Sequence, residues 1–228
     1  MTSAALYGCA GHRLTEDERA FFAKARPWGF ILFARNVDRP KQVSKLCVAL
    51  RDAVGWNAPI FIDQEGGRVQ RLKPPTWRAA PPADAFGRLF RRDEEAGLEA
   101  VRLNHRLIAA ELMALGVDAD CAPCIDLQIE GADAIIGDRS YSTEPEIVAR
   151  LGRAAMEGLL AGGVAPVIKH IPGHGRADAD SHLALPRVDT PRELLETTDF
   201  APFRDLADAP MAMTAHVVYS DIDPDDPA

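Results

Sequence analysis

The sequence predicts an α/β protein, and within that class a TIM (β/α)8 barrel of which about six βα units are present. Short apolar segments alternate with helical stretches at spacings of some tens of residues, which is typical of a parallel sheet built from βαβ units. Polar residues follow several of these strands at their carboxyl ends: Arg35, Asp63, His170 and His216. A barrel enzyme builds its active site from such residues, so the pattern favours a barrel.

The first half of the chain predicts three strands and three helices. Strands are predicted over 4–7, 29–33 and 59–62. Helices are predicted from Thr15, an N-cap with Glu18 three residues later, to Ala25, from Pro40 to Val54, and over 93–115. The Pro- and Ala-rich stretch 73–86 is interpreted as a long loop.

The second half continues the alternation. Strands are predicted over 117–121, 164–168 and 211–215. An irregular loop over 131–142 carries Arg139, a helix covers 144–160, and another helix begins at Thr190 as N-cap. A closed barrel needs eight strands, so the sheet is open, strands have been missed, or the chain is part of something longer.

Composition limits the partners. The 228 residues form one expected domain, 1–228, with 47% hydrophobic residues and a net charge of −8. An acidic chain is not expected to bind nucleic acid or an anionic membrane. No apolar run has the length of a transmembrane helix, and no secretory signal is visible at the N-terminus, so a cytoplasmic protein is expected.

Four cysteines in this length do not make a disulfide scaffold. Cys121 and Cys124 have CxxC spacing, but a second pair at zinc-site spacing is missing, so two buried thiols are expected. We expect His105, which lies in a helix, to be structural. Neither a cofactor nor a metal is expected.

The densest polar segment runs from Lys169 to His182 and contains three histidines on a glycine-punctuated loop. We expect five of the polar side chains to converge at one barrel mouth: Asp63, Arg139, Lys169, His170 and His182. Cations beside a carboxylate supply directional donors and acceptors, which suits a polyhydroxylated or amide-bearing ligand such as a sugar.

Asp180 stands two residues before His182. A carboxylate that hydrogen-bonds an imidazole fixes its tautomer, and such a histidine can donate a proton to a leaving group and then take one from water. A local turn, in which Asp180 or Ser181 bonds the backbone, is the structural alternative. The second alternative is a metal site, although Lys169 would repel a cation. Its ligands would be His170, His174, His182, Asp178 and Asp180.

These motifs resemble those of family 3 glycoside hydrolases, specifically bacterial β-N-acetylglucosaminidases of peptidoglycan recycling. The resemblance is carried by Lys169–Gly175 together with Asp180-Ser181-His182. Four further segments are similar to other blocks of that family and occur in the same order along the chain: 29–36, 63–71, 136–141 and 213–216. It implies a TIM barrel and the release of terminal N-acetylglucosamine from cell-wall fragments with retention of configuration.

The resemblance also implies roles. His182 would be the general acid/base and Asp180 its partner. The contacts to the sugar would be Asp63, Arg71, Arg139, Lys169 and His170. The family's nucleophile is an Asp after the seventh strand, and this sequence resembles the family only through the sixth, so it looks like the N-terminal part of such an enzyme and is expected to be inactive alone.

Two other functions stay open at this point: a metal-dependent barrel hydrolase and a non-catalytic sugar-binding relative. Transfer of the sugar to phosphate rather than water also stays open. We expect a monomer.

Overall fold

A parallel sheet forms the centre of the computed structural model, which describes residues 1–129, 131–132, 134–177 and 185–228. Its strands are β1 (Ser3–Tyr7), β2 (Pro27–Leu32), β3 (Ile60–Ile62), β6 (Ala119–Asp120), β7 (Ala165–Ile171) and β9 (Met211–Thr214). They pair in that order, each parallel to its neighbour. Four further strands make two small ribbons, antiparallel β4 (Gln64–Gly66) with β5 (Val69–Gln70), and β8 (Arg187–Val188) with β10 (Val218–Tyr219).

Helices follow the strands along the chain. They are α1 (Glu16–Ala25), α2 (Pro40–Val54), α3 (Ala83–Phe90), α4 (Glu94–Leu115), α5 (Pro145–Ala161), α6 (Arg192–Thr197) and α7 (Ala201–Asp205). Strand and helix therefore alternate as in a (β/α) barrel, and the six-stranded sheet is a partial barrel. The predicted fold class is confirmed.

One face of the sheet lines the inside of the barrel. Phe61, Ala119, Cys121 and Val167 come from three different strands and pack into one buried cluster. The opposite face packs against the helices, where Phe30, Leu32, Ile60 and Ile62 join apolar residues of α2 and α4. Strands buried on both faces read as continuous apolar runs, which is why they were visible in the sequence.

The helices α4 and α5 pack closely because glycines stand at their contact. A side-chain carbon at Gly158 would collide with the backbone of Arg102, and one at Gly162 would collide with the side chain of Ala109. This close approach lets Leu112 and Leu159 share one buried cluster. Each such fully buried leucine contributes about 1.5–3 kcal/mol relative to an exposed one.

Local signals placed several helix ends correctly. Thr15 accepts a hydrogen bond from the Glu18 amide, while the Glu18 carboxylate accepts one from the Thr15 amide, which completes a capping box. Helix α2 begins at Pro40 and ends at Val54, and its C-cap is Gly55, whose φ of 77° suits glycine. His105 is buried, with Nδ1 2.9 Å from the Val101 carbonyl oxygen, as expected of a structural residue.

Three details of the sequence prediction were wrong. The stretch 73–86 is not loop throughout, because α3 begins at Ala83 and buries Phe86 and Phe90 one turn apart. Strand β7 continues to Ile171 rather than ending at 168, since its polar residues still pair with β9. The N-cap of α6 is Pro191, not Thr190.

No helix in the described part of the chain is both long enough and apolar enough to cross a membrane.

Candidate active site

A cleft of about 730 Å³ opens at the carboxyl ends of the sheet strands. The ends of β2, β7 and β9, the residues that follow these strands and β3, and the loop that carries Arg139 form its lining. The lining residues are Ile31, Phe33, Asp63, Arg68, Val69, Arg71, Ile135, Ile136, Arg139, Lys169, His170, His174, Met213, Thr214, Ala215 and His216. The position is the one that a (β/α) barrel uses for its active site.

Lys169 lies at the centre of this cleft. Its Nζ lies 2.7 Å from Asp63 Oδ1 and 2.6 Å from Glu65 Oε1, and its side chain is only 2% exposed. Asp63 and Glu65 are two residues apart in an extended segment, so their side chains leave the backbone on the same side. The ammonium is thus clamped between two carboxylates.

Two arginines complete the ionic cluster. Arg139 donates to both oxygens of Glu65, from Nε over 2.9 Å and from a terminal nitrogen over 2.8 Å. Arg71 donates to Asp63 Oδ2 over 3.1 Å and is the most exposed member, at 27%. A bidentate guanidinium–carboxylate pair fixes the plane of both groups. The cluster is therefore rigid at Glu65 and accessible at Arg71.

The local backbone explains why these residues meet. Ribbon β4–β5 reverses direction at Gly66 and Gly67, whose φ angles of 103° and 54° are left-handed values that favour glycine. This turn brings Arg71 back beside Asp63. Arg68 donates to the carbonyls of Ile135 and Ile136 and so fastens the loop that carries Arg139.

The charges in this cluster stabilise one another. Burial by itself would raise the pKa of the Asp63 and Glu65 carboxyls, but the Lys169 ammonium lowers both below their usual values. Burial would likewise lower the pKa of Lys169, yet the Glu65 and Asp63 carboxylates raise it above its usual value. All three groups are therefore charged at neutral pH.

His170 is held by a second buried carboxylate. Its Nδ1 lies 2.6 Å from Asp126 Oδ2, and its backbone amide donates to Asp126 Oδ1 over 3.2 Å. Despite complete burial, which would raise it, the pKa of Asp126 falls to about 2, chiefly because of the attraction to His170. An ionised Asp126 accepts from Nδ1–H, which leaves Nε2 as the second functional nitrogen of the ring.

His174 and two thiols lie next to this pair. The His174 amide donates to Asp126 Oδ1 over 2.7 Å, and its ring centroid lies 5.6 Å from that of His170. Cys124 Sγ donates to Asp126 Oδ2 over 3.3 Å. Both Cys121 and Cys124 are free and buried as expected, and burial raises the pKa of Cys121 to about 12 and that of Cys124 well above its usual value.

Asp120, at the end of β6, is buried beneath the cluster. Its Oδ1 accepts a hydrogen bond from the amide of Gln64 over 2.9 Å, and its Oδ2 has no hydrogen-bond partner among the described residues. Burial raises its pKa to about 7. Gln64 separates Asp63 from Glu65, so Asp120 anchors the backbone between the two carboxylates that hold Lys169.

The structure brings together most of the residues that the sequence singled out. Asp63, Arg71, Arg139, Lys169 and His170 all line the one cleft. Two others, Asp180 and His182, lie outside the described residues, as does Asp178 of the metal alternative. Their predicted roles therefore stay predictions.

Sequence reasoning missed the roles of Glu65 and Asp126. Glu65 stands two residues after Asp63 in an extended segment, and this same-face spacing was the available signal. Asp126 follows the fourth sheet strand, where the rule that found Asp63 and His170 also applies. Both were passed over because neither is adjacent in sequence to the residue that it holds.

The arrangement suits a neutral, hydroxyl-rich ligand. Lys169 has a donor left over after its two ion pairs, and the Asp63 oxygens keep free lone pairs. Three cations share two carboxylates in the cluster, so most of the charge is compensated and the cleft offers directional hydrogen bonds rather than a strong net charge. Apolar atoms of Ile31, Phe33 and Met213 supply a wall against which a sugar ring can pack.

A model described as the N-terminal domain of glycosyl hydrolase family 3 matches residues 5–228 of this chain. The chain is 41% identical to a beta-hexosaminidase of Alkalilimnicola ehrlichii over 224 residues, which is 96% of this chain and 63% of that protein. It is 42% identical to the beta-hexosaminidase of Thioalkalivibrio sulfidiphilus, covering 94% of this chain and 61% of that one. The chain therefore spans less than two thirds of the length of these curated relatives.

Among solved structures, the chain is similar to NagZ from Neisseria gonorrhoeae in complex with N-trifluoroacetyl-D-glucosamine. The TM-score is 0.92 at 36% sequence identity, and the match covers 99% of this chain and 67% of that one.

Proposed function

The chain belongs to glycosyl hydrolase family 3, and on that premise we propose that it supplies the sugar-binding contacts of a retaining exo-β-N-acetylglucosaminidase. The proposed substrate is a terminal N-acetylglucosamine of a peptidoglycan fragment. The observation that carries the proposal is the clamp of Lys169 between Asp63 and Glu65 at the floor of the cleft. The names of the similar proteins, beta-hexosaminidase and a glucosamine-derivative complex of NagZ, support it.

Each member of the cluster has a distinct part in holding the sugar. Asp63 accepts hydrogen bonds from ring hydroxyls. The ammonium N–H of Lys169 that is not used in its ion pairs donates to a hydroxyl oxygen of the sugar. Arg71, being partly exposed, donates to the outer hydroxyls or to the acetamido oxygen. Glu65 does not need to touch the sugar, because it already holds Lys169 and both donating nitrogens of Arg139. Fixed donors and acceptors cost little reorganisation when the sugar binds.

Catalysis in this proposal uses a histidine rather than the usual carboxylic acid. His182 protonates the glycosidic oxygen as the bond breaks and later removes a proton from water, while Asp180 holds its tautomer. The attacking carboxylate of this family follows the seventh strand, so we assign that role to none of the described residues. His170, oriented by Asp126, binds the sugar from the end of β7.

We further propose that the protein acts in the cytoplasm as a monomer on soluble cell-wall fragments. The acidic composition is consistent with a partner that is neither nucleic acid nor an anionic membrane.

Hydrolysis of 4-nitrophenyl N-acetyl-β-D-glucosaminide by the protein that contains this chain tests the proposal. Proton NMR of the early product should show the β-anomer first, as retention requires, and the corresponding glucoside without the acetamido group should react far more slowly. Absence of hydrolysis, or the α-anomer appearing first, would refute it. A sugar phosphate formed on adding phosphate would reassign the acceptor from water to phosphate.

A further inference from the structure

A second groove, of about 550 Å³, lies between the start of α1 and the first three turns of α2. It shares no lining residue with the active-site cleft. Six of its ten lining residues are basic and none is acidic, although the chain as a whole has a net charge of −8. The basic residues are His12, Arg13, Arg19, Arg39, Lys41 and Lys45, and the others are Leu14, Gln42, Leu46 and Ala49.

Almost none of this positive charge is used in ion pairs. Among the described residues, Arg39 is the one member of the six with a carboxylate partner, and that partner is its neighbour Asp38 at 3.4 Å. The Arg39 side chain is 72% exposed. Such a pair in water contributes about 0–1 kcal/mol, so the guanidinium stays available to a stronger partner.

The carboxylates nearest in sequence do not line the groove. Glu18 accepts hydrogen bonds from the backbone amides of Ala10 and Thr15, over 2.7 and 2.9 Å, and so serves the loop and the helix end. Glu16 and Asp17 lie in the first turn of α1 and are not part of the lining. The cations of the groove therefore repel one another without compensation from its walls, and a bound anion would relieve that repulsion.

Two side-chain amides hold the walls of the groove in place. Asn36 is fully buried and donates to the carbonyl oxygens of Cys9 and Gly11, each over 3.0 Å. Gln42 donates to the carbonyl oxygens of His12 over 2.8 Å and of Asn36 over 3.0 Å. These bonds tie the loop between β1 and α1, which carries two of the cations, to the start of α2. The cations of both segments are thus assembled before a ligand arrives, which lowers the cost of binding it.

The start of α2 adds a backbone donor at the same edge of the groove. The N-cap residue, Arg39, makes no capping hydrogen bond with its side chain. The amides of Gln42 and Val43 both donate to the Arg39 carbonyl oxygen. Pro40 has no N–H, so the Lys41 amide is the donor of this turn that stays unpaired among the described residues. The amino-terminal end of a helix favours a negative charge.

We propose that this groove binds a small anion that carries several phosphate groups, either a nucleoside polyphosphate or a short inorganic polyphosphate. The three arginines can each donate two parallel hydrogen bonds to phosphate oxygens, and the two lysines add compact charges. Six basic residues exceed what a single negative charge would neutralise, which favours a multiply charged ligand. The volume is within the range of about 300–1,000 Å³ that is usual for small-molecule sites.

Two further features favour a small ligand over a long polyanion. The rest of the chain is strongly acidic, so an extended nucleic acid or an anionic membrane would be repelled outside the groove. Leu14 and Leu46 give the groove an apolar wall, against which the base of a nucleotide can pack. The proposal concerns binding alone and does not depend on the glycosidase assignment.

Isothermal titration calorimetry of the protein that contains this chain tests the site, with ATP and inorganic tripolyphosphate as probes in magnesium-free buffer. We expect one anion to bind per chain, with an affinity that falls as NaCl is added, because exposed charges are screened by salt. Tighter binding of ATP would identify a nucleotide as the ligand, and equal binding would identify the phosphate chain alone. Either result supports the site.

Variants locate the binding. Lys45→Glu, on α2, and Arg13→Ser, in the loop before α1, should each weaken ATP binding by about tenfold, because each removes a charge-assisted contact. Both residues are exposed, so the fold should be kept, and an unchanged Tm would verify this. The control Arg106→Glu, exposed on α4 and outside the groove, changes the net charge as much as Lys45→Glu does. It should alter the affinity by less than about twofold.

Four results would overturn the proposal. The first is no saturable binding of either probe at millimolar concentration. The second is an equal loss of affinity in Lys45→Glu and Arg106→Glu, which would indicate an effect of net charge alone. The third is equal affinity for citrate, a tricarboxylate, which would exclude selectivity for phosphate. The fourth is binding of heparin without binding of ATP or tripolyphosphate, which would indicate a macromolecular partner.

Discussion

Lys169 Nζ lies 2.7 Å from Asp63 Oδ1, although 106 residues separate them and strand β6 stands between their strands in the sheet. The contact spans a strand because the sheet curls, so that side chains after β3 and within β7 point into a common interior. Glu65, 2.6 Å from the same nitrogen, closes the cluster from the other side. The ionic cluster therefore depends on the curvature of the barrel.

Replacing Lys169 by Met should destabilise the fold, because it leaves two buried carboxylates without their shared cation. Breaking a buried ion pair from one side costs about 3–5 kcal/mol. We expect the free energy of unfolding, measured by urea denaturation, to fall by about that amount. Lys41→Met, on the exposed surface of α2, is the matched control and should change it by less than about 0.5 kcal/mol. Equal effects of the two substitutions would show that the clamp contributes nothing to stability.

The Asp126–His170 pair should contribute stability that disappears in acid. The pKa of Asp126 is about 2 in the folded chain against an ordinary 3.8, so the folded state favours the ionised form. The contribution is complete above pH about 5 and is lost as the pH falls through 3.8 toward 2. The stability advantage over Asp126→Asn should therefore shrink by about 2 kcal/mol between pH 6 and 2. A difference that stays constant over this range would contradict the pairing.

Asp120 should have the opposite pH dependence. Its pKa is raised from 3.8 to about 7, so the unfolded chain ionises first and binds fewer protons over that range. Folding stability is then lost as the pH rises from about 4 to 7. Asp120→Asn keeps an oxygen for the Gln64 amide and removes this loss. Relative to the natural chain it should gain up to about 4 kcal/mol between pH 4 and 8, measured by denaturation at each pH. If Asp120→Asn gave no gain in the free energy of unfolding, ionisation of Asp120 would cost the folded chain no stability.

The 228-residue chain expressed by itself should show no glycosidase activity. It holds the proposed sugar contacts, but none of its described residues takes the role of the nucleophile. We expect no release of 4-nitrophenol from the chromogenic N-acetylglucosaminide above the level of a matched Asp63→Ala chain. Turnover by the natural chain that this substitution abolishes would show that a nucleophile is present within these residues.

Much of the fold followed from local patterns. The apolar runs that became β2, β3 and β7 were visible because strands buried on both faces are apolar throughout. Thr15, Pro40 and Gly55 marked helix ends through their own backbone chemistry. Helix α3 was missed because the prolines that precede it make the whole stretch resemble a loop, whereas its buried Phe86 and Phe90 are fixed by packing that no local pattern records.

The residues of the candidate site could likewise be predicted only in part from the sequence. Asp63 and His170 were found because they end apolar strands, and Lys169 because it adjoins His170. Glu65 and Asp126 were not found as partners, since each holds a residue that is distant in sequence. Curvature of the sheet brings Glu65 to Lys169, and the pairing of β6 with β7 brings Asp126 to His170. Long-range pairings of this kind are set by topology, which one sequence specifies only indirectly.

A crystal structure of the protein with bound N-acetylglucosamine tests the sugar-binding assignment most directly. We expect the sugar in the cleft, with ring hydroxyls within hydrogen-bonding distance of the Asp63 carboxylate, Lys169 Nζ and Arg71. A sugar bound elsewhere, or bound in the cleft without contact to Asp63 and Lys169, would contradict it.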